Sequence, residues 1–131
     1  MVAHAGDNSW MLEQIRSVRG VRHAIVLTSD GLLKVKTEQT NADIADKLAA
    51  TCAGLTSLGR GVGDEFGAGG DPKQVMVEFD GGFLFVRGAG DGSRLAVVTE
   101  PVIDPGLIAQ QMQLQVLQIG ERTLSTPTRT R

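Results

Sequence analysis

Apolar residues recur along the chain with two different periods. In "NSWMLEQIRSV" Met11, Ile15 and Val18 fall at i, i+4 and i+7 with Leu12 beside them, the spacing of one helix face. Asp7, Asn8 or Ser9 is placed to cap this helix and Gly20 to end it. "HAIVLTS" and "LLKVKT" then flank Asp30–Gly31, which predicts a hairpin closed by a tight turn of primed type. Helical spacing returns over about residues 41–60, with Thr40 as expected N-cap and Asp43 favouring the positive end of the helix dipole. Three short strands follow, "QVMVEF" (74–79), "FLFVRG" (83–88) and "RLAVVTE" (94–100). A last helix starts behind Asp104 as cap, with Pro105 in its first turn, and runs to about Gly120. Leu107, Ile108, Met112, Val116 and Ile119 lie largely on one of its faces.

The predicted order is α-β-β-α-β-β-β-α, and short connections between strands make antiparallel neighbours. "AIVL", "FLFV" and "LAVV" are continuous apolar runs, as expected for strands covered on both faces. "LLKVKT" and "QVMVEF" alternate, which places them at the edges. The expected fold class is therefore α+β: a five-stranded antiparallel sheet of order 2-1-5-4-3, sandwiched between helices. At 131 residues the chain fits one domain. The loose ends divide it into a flexible N-terminus (1–8), a core domain (9–120) and a flexible C-terminal tail (121–131).

The second helix carries two stripes. Ile44, Leu48, Leu55, Leu58, Val62 and Phe66 form a large apolar stripe suited to lie on the sheet. Beside it Ala45, Ala49, Cys52, Thr56, Gly59 and Gly63 form a seam of small residues, and Ala50, Gly54, Ser57 and Gly61 form another. A small seam suits close packing within the domain or a helix contact with a second subunit, and both readings stand. "QVMVEF" bears on the choice, since it carries no proline or inward charge and its Met76 points outward among polar neighbours.

Net charge of −2 supplies no basic field for nucleic acid or for an anionic membrane surface. A single cysteine, Cys52, rules out an internal disulfide and suits a reducing compartment. Neither a signal peptide nor an apolar run long enough for a membrane span is read, so the expected location is the cytoplasm.

"LGRGVGDEFGAGG" (58–70) holds six glycines and resembles a phosphate cradle only superficially. It lies at a helix exit, where the dipole has the wrong sign for phosphate, and no G-K-[ST] triplet occurs in the chain. Catalytic candidates are equally sparse. His4 sits in the loose N-terminus, and His23 opens a strand with no second histidine to share a metal. Cys52 reads as a buried structural thiol, while Asp43 with Asp46 and Asp64 with Glu65 read as solvated acids. Arg60 suits a helix C-terminus, and Trp10 is either an anchor or an exposed contact. No catalytic residue, cofactor or metal site is assigned.

The order αββαβββα, the hairpin "VRHAIVLTSDGLLKV", the helix "ADKLAATCAGLTSLGRGVG" and the pair "VEFDGGFLFV" with "GSRLAVVTE" resemble the Roadblock / dynein light chain family, especially its short actinobacterial members. The likeness covers about residues 9–120. It implies the second helix on one face of the sheet, the first and third on the other, and a homodimer built from the second helix and third strand. On that basis Ala45, Ala49, Cys52, Thr56, Gly59, Val75, Met76 and Val77 are the expected dimer positions. The resemblance further implies a partner that is a small Ras-like GTPase, regulated in its nucleotide cycle without catalysis by this chain. A sensor-kinase-like protein is an additional implied partner. Alternatives are a passive adaptor in a sensor or motor complex and a small-molecule sensor domain, though no cluster of convergent polar residues marks a pocket.

Overall fold

The computed structural model describes residues 8–124. Strands β1 (Val21–Leu27), β2 (Leu33–Lys36), β3 (Gln74–Phe79), β4 (Gly82–Gly88) and β5 (Arg94–Thr99) form one five-stranded sheet in the order β2-β1-β5-β4-β3. All four pairings are antiparallel. Helix α1 (Ala42–Phe66) covers one face, and helix α2 (Pro105–Leu124) covers the other together with a short 3-10 helix, Ser9–Leu12. The strands read as continuously apolar are the interior ones, and the alternating ones, β2 and β3, are the edges.

Each sheet face builds its own core. Ala24, Val26, Phe85, Leu95 and Val97 pack with Met11, Leu12 and Ile15 and with Ile108, Met112, Val116 and Ile119 of α2. Ile25, Leu27, Leu84, Val86 and Ala96 point the other way, toward Ala45, Ala49 and Cys52 of α1. Alternation along each strand thus sorts the apolar runs into two layers.

Three local expectations are corrected. The N-terminal helix does not form as one continuous α-helix. After the 3-10 turn, the N–H groups of Gln14 and Ile15 donate to the Gln115 side chain at 2.7 and 3.1 Å, instead of to carbonyls one helical turn back. The β1–β2 loop is not a two-residue primed turn, because within it Gly31 has a positive φ (88°) and Asp30 does not. Gly31 N–H donates to Thr28 O (2.9 Å) and Thr28 N–H to Leu32 O (2.8 Å), giving a three-residue loop closed by a left-handed glycine. Helix α1 is capped by Asn41, whose Oδ1 accepts from the N–H of Asp43 (2.7 Å) and Ile44 (3.4 Å). The expected cap, Thr40, is instead buried against Thr37 Oγ1 at 2.6 Å and His23 Nδ1 at 2.9 Å.

Both long helices outrun their expected ends. Helix α1 continues through the glycines to Phe66, and α2 continues to Leu124, taking in residues assigned to the tail. At the α2 cap the expectation holds, with Leu107 N–H donating to Asp104 Oδ1 at 3.1 Å.

Candidate docking surface

The two stripes of α1 are arranged the opposite way round from the simplest sequence expectation. Ala45, Ala49, Cys52 and Thr56 are the buried residues of the helix, seated on the chain's own sheet. The sheet beneath supplies bulky Ile25, Leu27, Leu84 and Val86, so small residues above let the helix settle close. The large stripe is displaced outward: Ile44 is 51% exposed, Leu58 73%, Val62 60% and Phe66 83%. Among the expected dimer positions, Ala45, Ala49, Cys52 and Thr56 therefore face inward, and the surface α1 offers to solvent is a different one.

That surface runs on into β3. Leu48 and Leu55 of α1 and Val75 and Val77 of β3 are half-buried against the same core. Phe79 shares the β3 face of Val75 and Val77 and is 41% exposed. Met76, 52% exposed, lies on the opposite face, opposite Phe85. Among the described residues β3 pairs only with β4, so its other edge presents unpaired backbone groups there. A row of exposed apolar side chains therefore lies beside an open sheet edge.

The glycine-rich stretch has an internal role. A Cβ on Gly59 would stand 2.7 Å from Pro72 Cγ, and one on Gly63 would stand 3.3 Å from Gly70 O. The loop after α1 thus folds back against the helix end, and Gly67 and Gly69 donate to Gly63 O. Asp71 of this loop ion-pairs with exposed Arg60 and with Arg94, whose side chain is buried and lies 2.6 Å away. A phosphate would meet a helix C-terminus and an ion-paired carboxylate here, which oppose its binding.

The remaining candidates stand apart. Burial pushes the Cys52 thiol up to about 12, so it is a protonated core side chain. His23 bonds Thr40, and burial, with Arg22 second, holds its pKa below the ordinary value. Asp43, Asp46, Asp64 and Glu65 are all exposed. Among the described residues no group of three or more His, Cys, Asp or Glu is placed to hold a metal. His4 lies outside the described residues. Trp10 is half-buried against the core on the α2 side, with the Arg122 guanidinium 3.9 Å over its ring, so it is an anchor.

A family profile described as Roadblock/LC7 domain matches residues 8–99. The chain belongs to the Roadblock/LC7 family. A crystal structure of a Roadblock/LC7 domain from Streptomyces avermitilis is 36% identical, with 90% of this chain and 98% of that chain covered and a TM-score of 0.81. A second Roadblock/LC7 domain structure from the same organism is 32% identical, over 85% of this chain and 95% of the other, with a TM-score of 0.67. Myxococcus xanthus MglB shares the fold at 15% identity, over 95% of this chain and 99% of its own, with a TM-score of 0.77. No curated protein matches the sequence. In this Roadblock/LC7 domain, no helix among the described residues is long and apolar enough to cross a membrane.

The outward position of Ile44, Leu58, Val62 and Phe66 is what sequence reasoning missed. The stripe itself was visible, but it adjoins the small seam on the helix surface, and periodicity does not say which of two adjacent stripes meets the sheet. The available signal was the size of the strand residues facing the helix, which favours small side chains such as Ala45, Ala49 and Cys52 at its centre.

Proposed function

We propose that this Roadblock/LC7 domain is a homodimeric, non-enzymatic regulator that binds a small Ras-like GTPase and modulates its nucleotide cycle. The observation that carries the reading is the exposed stripe Ile44, Leu58, Val62 and Phe66 beside the open β3 edge. Such a surface requires cover, and a second copy supplies a self-complementary one. The two β3 strands would pair edge to edge across a two-fold axis, and the two α1 helices would meet along their large stripes. The buried small seam then supports the interface from behind by fixing the height of α1 on the sheet.

The energetics favour this arrangement. Fully burying a Leu, Val or Phe side chain contributes roughly 1.5–3 kcal/mol, and two-fold symmetry counts each residue twice. Association costs an estimated 4–15 kcal/mol, a range of the same order as what burying the exposed part of the stripe twice contributes, so the paired β3 edges are needed beside it. The dimer would present one continuous sheet and a helical platform to its partner. In this reading the GTPase retains the nucleotide and the chemistry, and the domain acts by which GTPase conformation it holds.

The test is affinity capture from host lysate in parallel with GDP and with a non-hydrolysable GTP analogue. Recovery of a small GTPase mainly in the analogue arm is the expected result, with its hydrolysis rate then measured with and without the domain. A set of partners indifferent to nucleotide contradicts the regulator reading and favours the adaptor.

A further inference from the structure

The face of α2 turned away from the sheet is also apolar. Leu107 is 40% exposed, Leu114 45%, Leu117 50% and Leu124 64%, with exposed Gln110 and Glu121 between them. Positions 107, 110, 114, 117, 121 and 124 follow one another at steps of 3, 4, 3, 4 and 3, the spacing of a two-stranded coiled-coil seam. Buried Ile108, Met112, Val116 and Ile119 occupy the sheet side of the same helix, so the seam is an additional face. It also lies beyond the segment matched by the family profile, which ends at residue 99.

The residues beside the seam are held within the chain. Gln14 Nε2 donates to Gln111 at 2.8 Å, Arg87 donates to Gln113 at 2.7 Å, and Gln115 Nε2 donates to Gln118 at 3.1 Å. Gln110 and Glu121 have no side-chain hydrogen bond or ion pair to any described residue. The two polar side chains of the seam are therefore the ones without a use inside the molecule.

We propose that α2 packs antiparallel on α2 of a second copy along this seam. The reason is its order, Leu-Gln-Leu-Leu-Glu-Leu, which is complementary to its own reversal. With the helices antiparallel and Leu114 opposite Leu117 of the second copy, Leu107 meets Leu124, and the Gln110 amide meets the Glu121 carboxylate as donor to acceptor. A parallel pair would set Glu121 against Glu121, a like-charge contact at the interface. An open groove of ≈ 520 Å³ beside the seam, lined by Gly90, Val116, Leu117, Gly120, Glu121 and Leu124, gives room for the leucine at the start of the incoming helix. The seam is about 26 Å long at 1.5 Å rise per residue, which makes it a small, weak contact when it acts alone. It lies on the opposite side of the sheet from α1, so its formation leaves the α1 surface free and would link two α1 dimers.

The experiment is chemical cross-linking with a short bismaleimide at two exposed positions. Chains carrying Leu107→Cys and Leu124→Cys are treated separately and as an equal mixture; buried Cys52 does not compete. The expected result is a linked pair several-fold more abundant in the mixture than in either variant alone. Adding Gln110→Glu to both chains should lower it by setting Glu against Glu121, and a compensating Glu121→Gln should restore it. The Leu58→Asp background, which tests the α1 surface, should leave the yield unchanged. Efficient linking of Leu107→Cys with itself would show parallel pairing and overturn the proposal. Linking in the mixture no greater than with Glu38→Cys, a remote exposed position, would also overturn it.

Discussion

Gln115 is fully buried on the α2 side of the sheet, and every polar atom it has is used. Its Oε1 accepts from Gln14 and Ile15 N–H, and its Nε2 donates to Trp10 O at 3.4 Å and to Gln118 Oε1. Gln115→Leu keeps the size but orphans two N–H groups, each costing about 1–3 kcal/mol when buried and unmet. Thermal unfolding should register that loss, with the N-terminal segment the first to gain amide exchange. Ala49→Arg and Leu58→Arg make a second contrast. Ala49 is 1% exposed beneath α1 and Leu58 is 73% exposed above it. Arginine at position 49 should cost about 4 kcal/mol or more in chain stability, whereas at position 58 it should change the unfolding of the single chain by no more than about 0.5 kcal/mol and lower the observed midpoint only through lost association. His23 gives a pH dependence. Burial keeps its folded-state pKa below 6.5, so the unfolded chain binds more protons in the window just below that value. Stability should fall as pH drops through this window, and His23→Gln should flatten the decline in urea midpoint between about pH 7 and about pH 5. Such residue-scale facts were the least legible in the sequence, because Gln115 reads as one more polar residue until the N-terminal segment is laid against it.

At the scale of elements, the hydrophobic period located every strand and both long helices, since the alternation and the 3.6-residue repeat come directly from burial. Its failures occurred where a tertiary group replaced a local one. Gln115 takes the hydrogen bonds that would have extended the N-terminal helix, and His23 and Thr37 engage the hydroxyl that would have capped α1. Helix α1 passed its expected end, and two of the glycines after Leu58 are packing positions there, Gly59 against Pro72 and Gly63 against Gly70, while Gly61 faces open space. The loop that returns along the helix is secured by Asp71, which joins Arg60 of α1 to Arg94 of β5. Asp71→Asn would leave the buried Arg94 cation without its carboxylate. A loss of about 1–3 kcal/mol is expected, nearly all of it from Arg94, because the Arg60 pair is exposed to solvent. Arg60→Ala should therefore change the unfolding midpoint far less than Asp71→Asn does.

At the scale of the whole molecule, the chain is a three-layer sheet-and-helix sandwich in which Ala45, Ala49, Cys52 and Thr56 of α1 face the sheet, while large apolar residues and the second small seam, Ala50, Gly54, Ser57 and Gly61, lie outward. The architecture and strand order were legible because edge strands alternate and interior strands do not. The exposed apolar surface was legible only in part: β3 could be recognised as an edge strand from its pattern, but the stripe on α1 was assigned to the core. Cover for Ile44, Leu58, Val62 and Phe66 is the claim on which the dimeric regulator rests. Sedimentation equilibrium of the wild-type chain and of Leu58→Asp at micromolar concentration tests it most directly, with circular dichroism confirming that both are folded. The predicted result is a mass of at least two chains for the wild type and a shift toward one chain for Leu58→Asp. A folded wild-type monomer, or a Leu58→Asp variant with undiminished mass, would contradict it.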